Sequence, residues 1–320
     1  MGRFTILYDE PQEADWFRSL NEAFAGAAVE SIDSAQNSSA VKPLLAYDRP
    51  DIILLDDGKP ILVVEETVEV PSGHNVGQRF ARIAAAAENK VPCIYFGPYV
   101  AKKHGGATAG RRFVNARLFH ALDAMERTTK TAVVAIDWPV DQRYEVRRDG
   151  AKDQQVREYV REFLKAYGTQ GATGISRALV ESKIHKQLVA ERDEFVRTRI
   201  RNPEQYDGPP DSVEILSKEE FGRRRHIDVK RLPQRASEVV LYNVGMTYIR
   251  SDPYTGTGML YRYLYVAEHP ERVLVLWFPN ISSTQWTQAA RGGGRKDIRI
   301  FRILADAILF SDAFVTKDKL

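Results

Sequence analysis

The chain has 320 residues, of which 43% are hydrophobic and 28% charged, with 46 Lys+Arg, 43 Asp+Glu and a single Cys. This composition supports a packed core and excludes global disorder; one Cys, Cys93, excludes a disulfide framework and any multi-Cys zinc site. No apolar run approaches the ~18 residues a membrane span needs, and the first residues lack the apolar stretch of a signal peptide, so a soluble protein of a reducing compartment, the cytoplasm, is expected with no membrane partner. Charge is uneven along the chain. Residues 1–100 carry 8 Lys+Arg against 15 Asp+Glu, so the remainder is basic, a pattern that points toward a polyanionic partner.

In chain order, Trp16, Phe17, Leu20, Phe24 and Ala27 fall near a 3.6-residue spacing and predict a helix over 11–31. A loop rich in Ser, Asn and Asp follows over 32–42. Two apolar runs, 51–55 and 61–64, flank Asp56-Asp57-Gly58-Lys59, a strong hairpin signal. Both runs are apolar at successive positions, so both faces of the hairpin should be buried. Helices are predicted over 74–89, 111–127 and 152–167, and strands over 93–96 and 131–136. The glycine-rich run 168–174 reads as a linker and divides a first domain, 1–167, from a second, 168–320. Beyond it come a long charged helix over 175–200 and an irregular proline-rich stretch over 202–212. A β-α-β-like unit is expected from 239–249, 259–267 and 273–278, and a terminal apolar helix or strand over 297–310.

The chemistry concentrates in the hairpin. Asp51 opens its first strand and Glu65 closes its second, and an acid at the end of a doubly buried strand is costly unless a cation meets it. Mg²⁺ suits such a pair, because it takes one or two carboxylates and completes its shell with water and phosphate oxygens. Register decides whether the acids can share it. A two-residue loop places Asp51 opposite Val64, a three-residue loop places it opposite Glu65, and one residue of slip changes the face. A shared metal requires the second pairing or a bend near Asp51. On the second strand Glu65, Thr67 and Glu69 lie on one face and Glu66 on the other.

The run Pro50-Asp51, thirteen intervening residues, then Glu65-x-Thr67 resembles the PD-(D/E)xK nuclease superfamily, which includes many restriction endonucleases. The order helix, hairpin, helix, strand over residues 11–100 agrees with it. The resemblance implies an α/β fold with a restriction-endonuclease-like core, a mixed central sheet flanked by helices, followed by a second α/β or α+β DNA-binding region. It implies Asp51 and Glu65 as Mg²⁺ ligands, and Gln78 as a group that orients the phosphate or the water. The sequence departs from the family at Thr67, where the motif has Lys. Thr cannot carry positive charge, so Arg79, next to Gln78 at the start of the helix behind the hairpin, is the first candidate replacement, with Lys59 and Arg82 as the others. Alternatively an extra acid such as Glu69 suffices with the metal, or the site is inactive.

Basic segments supply candidate DNA contacts. Arg223, Arg224, Arg225, Lys230 and Arg231 lie in one run with few acids; Arg291, Arg295 and Lys296 flank three glycines; Lys102, Lys103, Arg111 and Arg112 flank the loop that includes Gly105 to Gly110. Arginine forks onto guanine or phosphate, and glycines let a backbone approach phosphate closely. Gln285 and Gln288 are possible base readers. The expectation is a Mg²⁺-dependent endonuclease acting on double-stranded DNA, of type II restriction character and homodimeric, because cutting two strands asks for two sites. The alternatives are a structure-specific repair or junction nuclease of the same superfamily, and a catalytically inactive DNA-binding protein.

Overall fold

The computed structural model describes residues 4–71, 75–104, 109–247, 254–291 and 295–320. Its contacts divide into two compact units, Met1–Ser72 with Ala81–Pro203, and Gly73–Phe80 with Glu204–Leu320. The division therefore falls after Pro203 rather than near residue 168.

The first unit contains β1 (Phe4–Tyr8), α1 (Pro11–Ser19), β2 (Ala28–Ser31), α2 (Ile32–Ala35), β3 (Ile52–Asp56) and β4 (Lys59–Glu66). It continues with α3 (Asn75–Glu88, whose first turns belong to the second unit), β5 (Cys93–Gly97), β6 (Val100–Lys103), β7 (Gly110–Phe113), α4 (Ala116–Thr129), β8 (Val133–Asp137), α5 (Gln154–Glu181) and α6 (Lys183–Arg199). Its main sheet has the order β2-β1-β3-β4-β5-β8. β3 pairs antiparallel with β1 and β4, while β5 runs parallel to β4 and β8. The sheet is thus mixed and flanked by helices, as expected.

Both sheet faces are covered, which explains the unbroken apolar runs. Ile52, Leu54, Leu62, Val64, Ile94 and Phe96 pack with Phe17 of α1 and Tyr159, Val160 and Phe163 of α5. On the other face Cys93 Sγ lies 3.5 Å from the Ile83 carbonyl of α3. The buried run from Ala84 to Ala87 presents only methyl groups there, so the helix backbone can lie close to the strands.

Four expectations need correction. The helix foreseen over 11–31 stops at Ser19; a 3-10 turn, Glu22–Phe24, is capped by the Asn21 side chain, and Ala28–Ser31 is an edge strand. The apolar spacing was satisfied by two short elements that bury Phe17 and Phe24 in one place, with ring centroids 5.1 Å apart. The loop foreseen over 32–42 begins with α2, capped by the Ser31 hydroxyl. The linker foreseen over 168–174 lies inside α5. There Gly171, at φ 63° and ψ −173°, makes a kink rather than a domain boundary; only glycine takes such a conformation cheaply. The long charged helix over 175–200 is broken at Ser182, which caps α6 by accepting the His185 N–H.

The second unit holds β9 (Val213–Ser217), α7 (Lys218–Arg225), β10 (Glu238–Asn243), α8 (Tyr254–Tyr265), β11 (Arg272–Phe278), α9 (Ser283–Ala290), α10 (Lys296–Leu304), β12 (Ala307–Phe310) and β13 (Phe314–Thr316). Its sheet runs β13-β12-β11-β10-β9. β10, α8 and the parallel β11 form the anticipated β-α-β unit, and the terminal apolar stretch is a helix followed by a strand. Leu216, Val239, Leu241, Val273 and Val275 share one face with Phe221 of α7. The first turn of α3 meets α8 at a glycine contact: a Cβ on Gly77 would fall 2.1 Å from the Thr257 nitrogen, and one on Gly256 would fall 2.3 Å from the Gly77 carbonyl carbon.

Candidate active site

The hairpin reconciles the two registers that its sequence allows. Asp57 and Gly58 both take positive φ, 47° and 76°, as a two-residue type I′ turn requires. Next to the turn Asp56 pairs with Lys59 and Leu55 with Pro60; a bulge between Leu54 and Leu55 then shifts the register, so that Leu54 pairs with Leu62 and Ile52 with Val64. The extra residue carries Asp51 from the level of Val64 to that of Glu65, and so onto Glu65's face.

The two acids are buried, Asp51 at 4% exposure and Glu65 at 0%. They converge on one atom. Arg82 Nη1, from α3, donates to Asp51 Oδ1 at 3.0 Å and to Glu65 Oε1 at 3.1 Å. The other Asp51 oxygen accepts the Glu66 backbone N–H at 2.5 Å, which fixes the carboxylate's orientation. Arg82 Nε makes no hydrogen bond and has Asp48 Oδ2 no closer than 3.8 Å. The cation the acids require is thus Arg82, one of three that the sequence offered. Lys59 is exposed at the hairpin turn, and Arg79 and Gln78 lie half-buried in the turns of α3 that belong to the second unit.

Thr67 is buried. Its hydroxyl donates to the Glu69 carbonyl at 3.1 Å. Its methyl lies against Gly97, where an added Cβ would fall 2.5 Å from Thr67 Cγ2. Glu69 is exposed.

A second layer of charge, unforeseen from the sequence, surrounds the pair. Glu66 points to the α1 side of the sheet, with Lys152 Nζ 3.7 Å from its Oε1 and 3.3 Å from Asp153 Oδ1. The ammonium lies 4.4 Å from the ring of Trp138 and 4.9 Å from that of Trp16, close enough for cation–π attraction. Burial lifts Glu66 to about 7, with Lys152 opposing the shift and Asp51 adding to it. Burial likewise lifts Glu13 to about 7, against a backbone hydrogen bond at Glu10 and assisted by Asp51. Nothing in local sequence ties Lys152 to this place, because it arrives from the 3-10 turn Gly150–Asp153 that leads into α5, far downstream.

The donor set fits a hard divalent ion. Two oxygens from different strands meet at a single buried point, already held by a cation whose guanidinium is not fully engaged. Among the described residues no group of three His, Cys, Asp or Glu is placed to hold a metal; a pair of carboxylates is within the number Mg²⁺ accepts.

The candidate DNA contacts are dispersed. Arg223, Arg224 and Arg225 end α7; Arg225 lies 3.8 Å over the Trp277 ring and 3.1 Å from Glu214. Lys230 is exposed, while Arg231 donates to the Phe314 carbonyl at 2.6 Å. Arg291 ends α9, Arg295 pairs with the buried Asp297 at 3.2 Å, and Lys296 opens α10; residues 292–294 between them lie outside the described residues. Lys102, Lys103, Arg111 and Arg112 sit on β6 and β7, and 105–108 are likewise outside the described residues. Gln285 closes a capping box, its side chain accepting the Ser282 N–H at 2.8 Å. No family model, curated protein or solved structure matches the chain.

Proposed function

We propose that the chain is a Mg²⁺-dependent endonuclease that hydrolyses phosphodiester bonds in double-stranded DNA, in the manner of the type II restriction enzymes its motif resembles. The observation that carries this reading is the convergence of Asp51 and Glu65 on one buried point, with a cation beside them that can do the work of the missing Lys. Asp51 and Glu65 would hold Mg²⁺, which would supply charge neutralisation at a phosphate and a lowered pKa for a bound water. The Glu66 N–H keeps Asp51 turned toward Glu65. Arg82, giving up the point it shares with the acids, offers its forked N–H groups to a phosphate, a pairing that guanidinium geometry favours. Two copies acting together would cut both strands.

Supercoiled plasmid incubated with Mg²⁺ or with EDTA tests the reading. Wild type should cut only with the metal, and Asp51→Ala and Glu65→Ala should each lose ~10²-fold or more. Discrete fragments would mark sequence-specific cleavage; cleavage that follows branched or damaged structure would mark the repair class. A second reading, a DNA-binding protein that no longer cuts, is favoured by Arg82 standing on the shared point while Thr67 replaces the motif's Lys. Tight binding with no cleavage in Mg²⁺ or Mn²⁺ would establish it.

A further inference from the structure

The basic clusters differ once their partners are known. On and beside α7, Arg223 and Arg224 reach Glu220, and Arg224 and Arg225 reach Glu214. Glu214 alone takes Arg224 and Arg225, each at 3.1 Å. A phosphate would have to displace an acid already in place, so little counterion release is available there.

The β6–β7 ribbon of the first unit is charged differently. Its strands pair Lys102 with Arg111 and Ala101 with Arg112. The Lys102 N–H donates to the Tyr144 carbonyl at 2.8 Å, docking the 141–149 turn along the ribbon. Strands and turn together carry seven Lys+Arg against Asp141, Glu145 and Asp149. Glu145 serves both Lys102, at 3.2 Å, and His104, at 2.6 Å, and Asp149 takes Arg147 at 2.7 Å. Arg143 and Arg148 are exposed, Lys103 is half-buried, and none of the three forms an ion pair among the described residues. Arg111 is exposed and lies against Tyr144 and Phe113. Its Nη1 donates to Tyr144 Oη at 2.8 Å, and its guanidinium lies 4.9 Å from the Tyr144 ring and 5.3 Å from that of Phe113.

We propose that this ribbon, with the turn docked on it, is the surface that takes double-stranded DNA, β6–β7 entering the major groove with Arg111 as the base-reading side chain. The inference rests on the DNA reading above and replaces the α7 arginines as its interface. A B-form major groove, about 12 Å wide, admits a two-stranded ribbon. An A-form groove is too narrow for one. An arginine already stacked and hydrogen-bonded has less freedom to lose when it forks onto guanine. Position agrees as well: β6 begins three residues after Gly97, against which the Thr67 methyl packs, so the ribbon leaves the sheet at the strand ends where Asp51 and Glu65 lie.

Fluorescence anisotropy with labelled duplex DNA in EDTA separates binding from cleavage. Arg143→Ala with Arg148→Ala should weaken binding ~10-fold or more and flatten the slope of log K against log[salt] by ~0.9 per contact, about two in all. Arg111→Ala should erase most of the preference between a selected duplex and one with its guanines replaced, and Arg111→Lys should not restore it. The triple Arg223→Ala, Arg224→Ala, Arg225→Ala variant should bind within ~3-fold of wild type, and duplex RNA should compete poorly. Unchanged binding in the ribbon variants of a wild type that cuts DNA would overturn the inference alone. So would loss in the α7 triple variant, or equal competition by duplex RNA or single strands. A wild type that neither binds nor cuts duplex DNA would remove the nuclease reading along with it.

Discussion

Arg82→Met isolates the electrostatics of the acid pair. The substitution keeps side-chain length and removes the guanidinium from two carboxylates that water barely reaches. Their oxygens lie 3.0 and 3.1 Å from the same nitrogen, hence no more than about 6 Å apart, where two like charges repel by roughly 3 kcal/mol at an effective dielectric of ~20. Stripping a buried ion pair of one partner costs ~3–5 kcal/mol in general. At about 2–4 °C per kcal/mol for a unit of this size, melting in EDTA at pH 8 should fall by roughly 10 °C. Two treatments should reverse the loss. At pH 5 the pair can share one proton; the folded pKa of one carboxyl is then raised above its unfolded value, so stability is greatest at low pH and is lost as pH rises through that pKa. At high pH a divalent ion should substitute, returning ~2.7 kcal/mol at one hundred times its Kd. Wild type, with its cation built in, should respond less to either. Thermal melts across pH and MgCl₂ are the assay. A variant as stable as wild type in EDTA at pH 8, or one that neither proton nor metal rescues, would refute the shared point.

Glu66→Ala should retain far more cleavage than Glu65→Ala in the same plasmid assay, because Asp51 uses the Glu66 backbone N–H rather than its side chain. Gly97→Ala would drive its methyl to 2.5 Å from Thr67 Cγ2 and should cost ~1–3 kcal/mol by urea denaturation; adding Thr67→Ser, which lacks that methyl, should recover much of it. Burial lifts Asp137 from its ordinary 3.8 to about 7, opposed by the Tyr99 N–H it accepts. The folded state therefore holds a proton the unfolded state releases, and its contribution is lost as pH rises from 4 to 7. Asp137→Asn should match wild type near pH 4 and be more stable at pH 8 by up to ~4 kcal/mol in urea titrations.

Much of the architecture was legible because doubly buried strands announce themselves as short unbroken apolar runs: 51–55, 61–64, 93–96 and 273–278 are all strands or strand cores. What misled was punctuation. Gly168, Gly171 and Gly174 suggested a linker, yet α5 continues through them because Ile175 and Leu179 beyond the kink rejoin the core that Phe163 belongs to. Phe24 suggested one long helix because a 3-10 turn can deliver an aromatic to the same place. The acid pair was readable from Pro50-Asp51 and Glu65, and Arg82 only as one cation among several. Lys152 was invisible, since its approach to Glu66 depends on how α5 crosses the sheet.

The bulge at Leu54 and Leu55 changes what the spacing between the two acids means. A regular hairpin with this turn would bring Asp51 level with Val64 and leave Glu65 on the opposite face. The thirteen residues between Asp51 and Glu65 are therefore not a ruler of turn length; they count a turn plus one irregularity. A chain that lost the bulge and one residue together would keep the geometry with a different count, whereas a chain that lost only the bulge would keep the count and lose the site. The same active pair can thus be written at several spacings, and two sequences written at the same spacing need not share it.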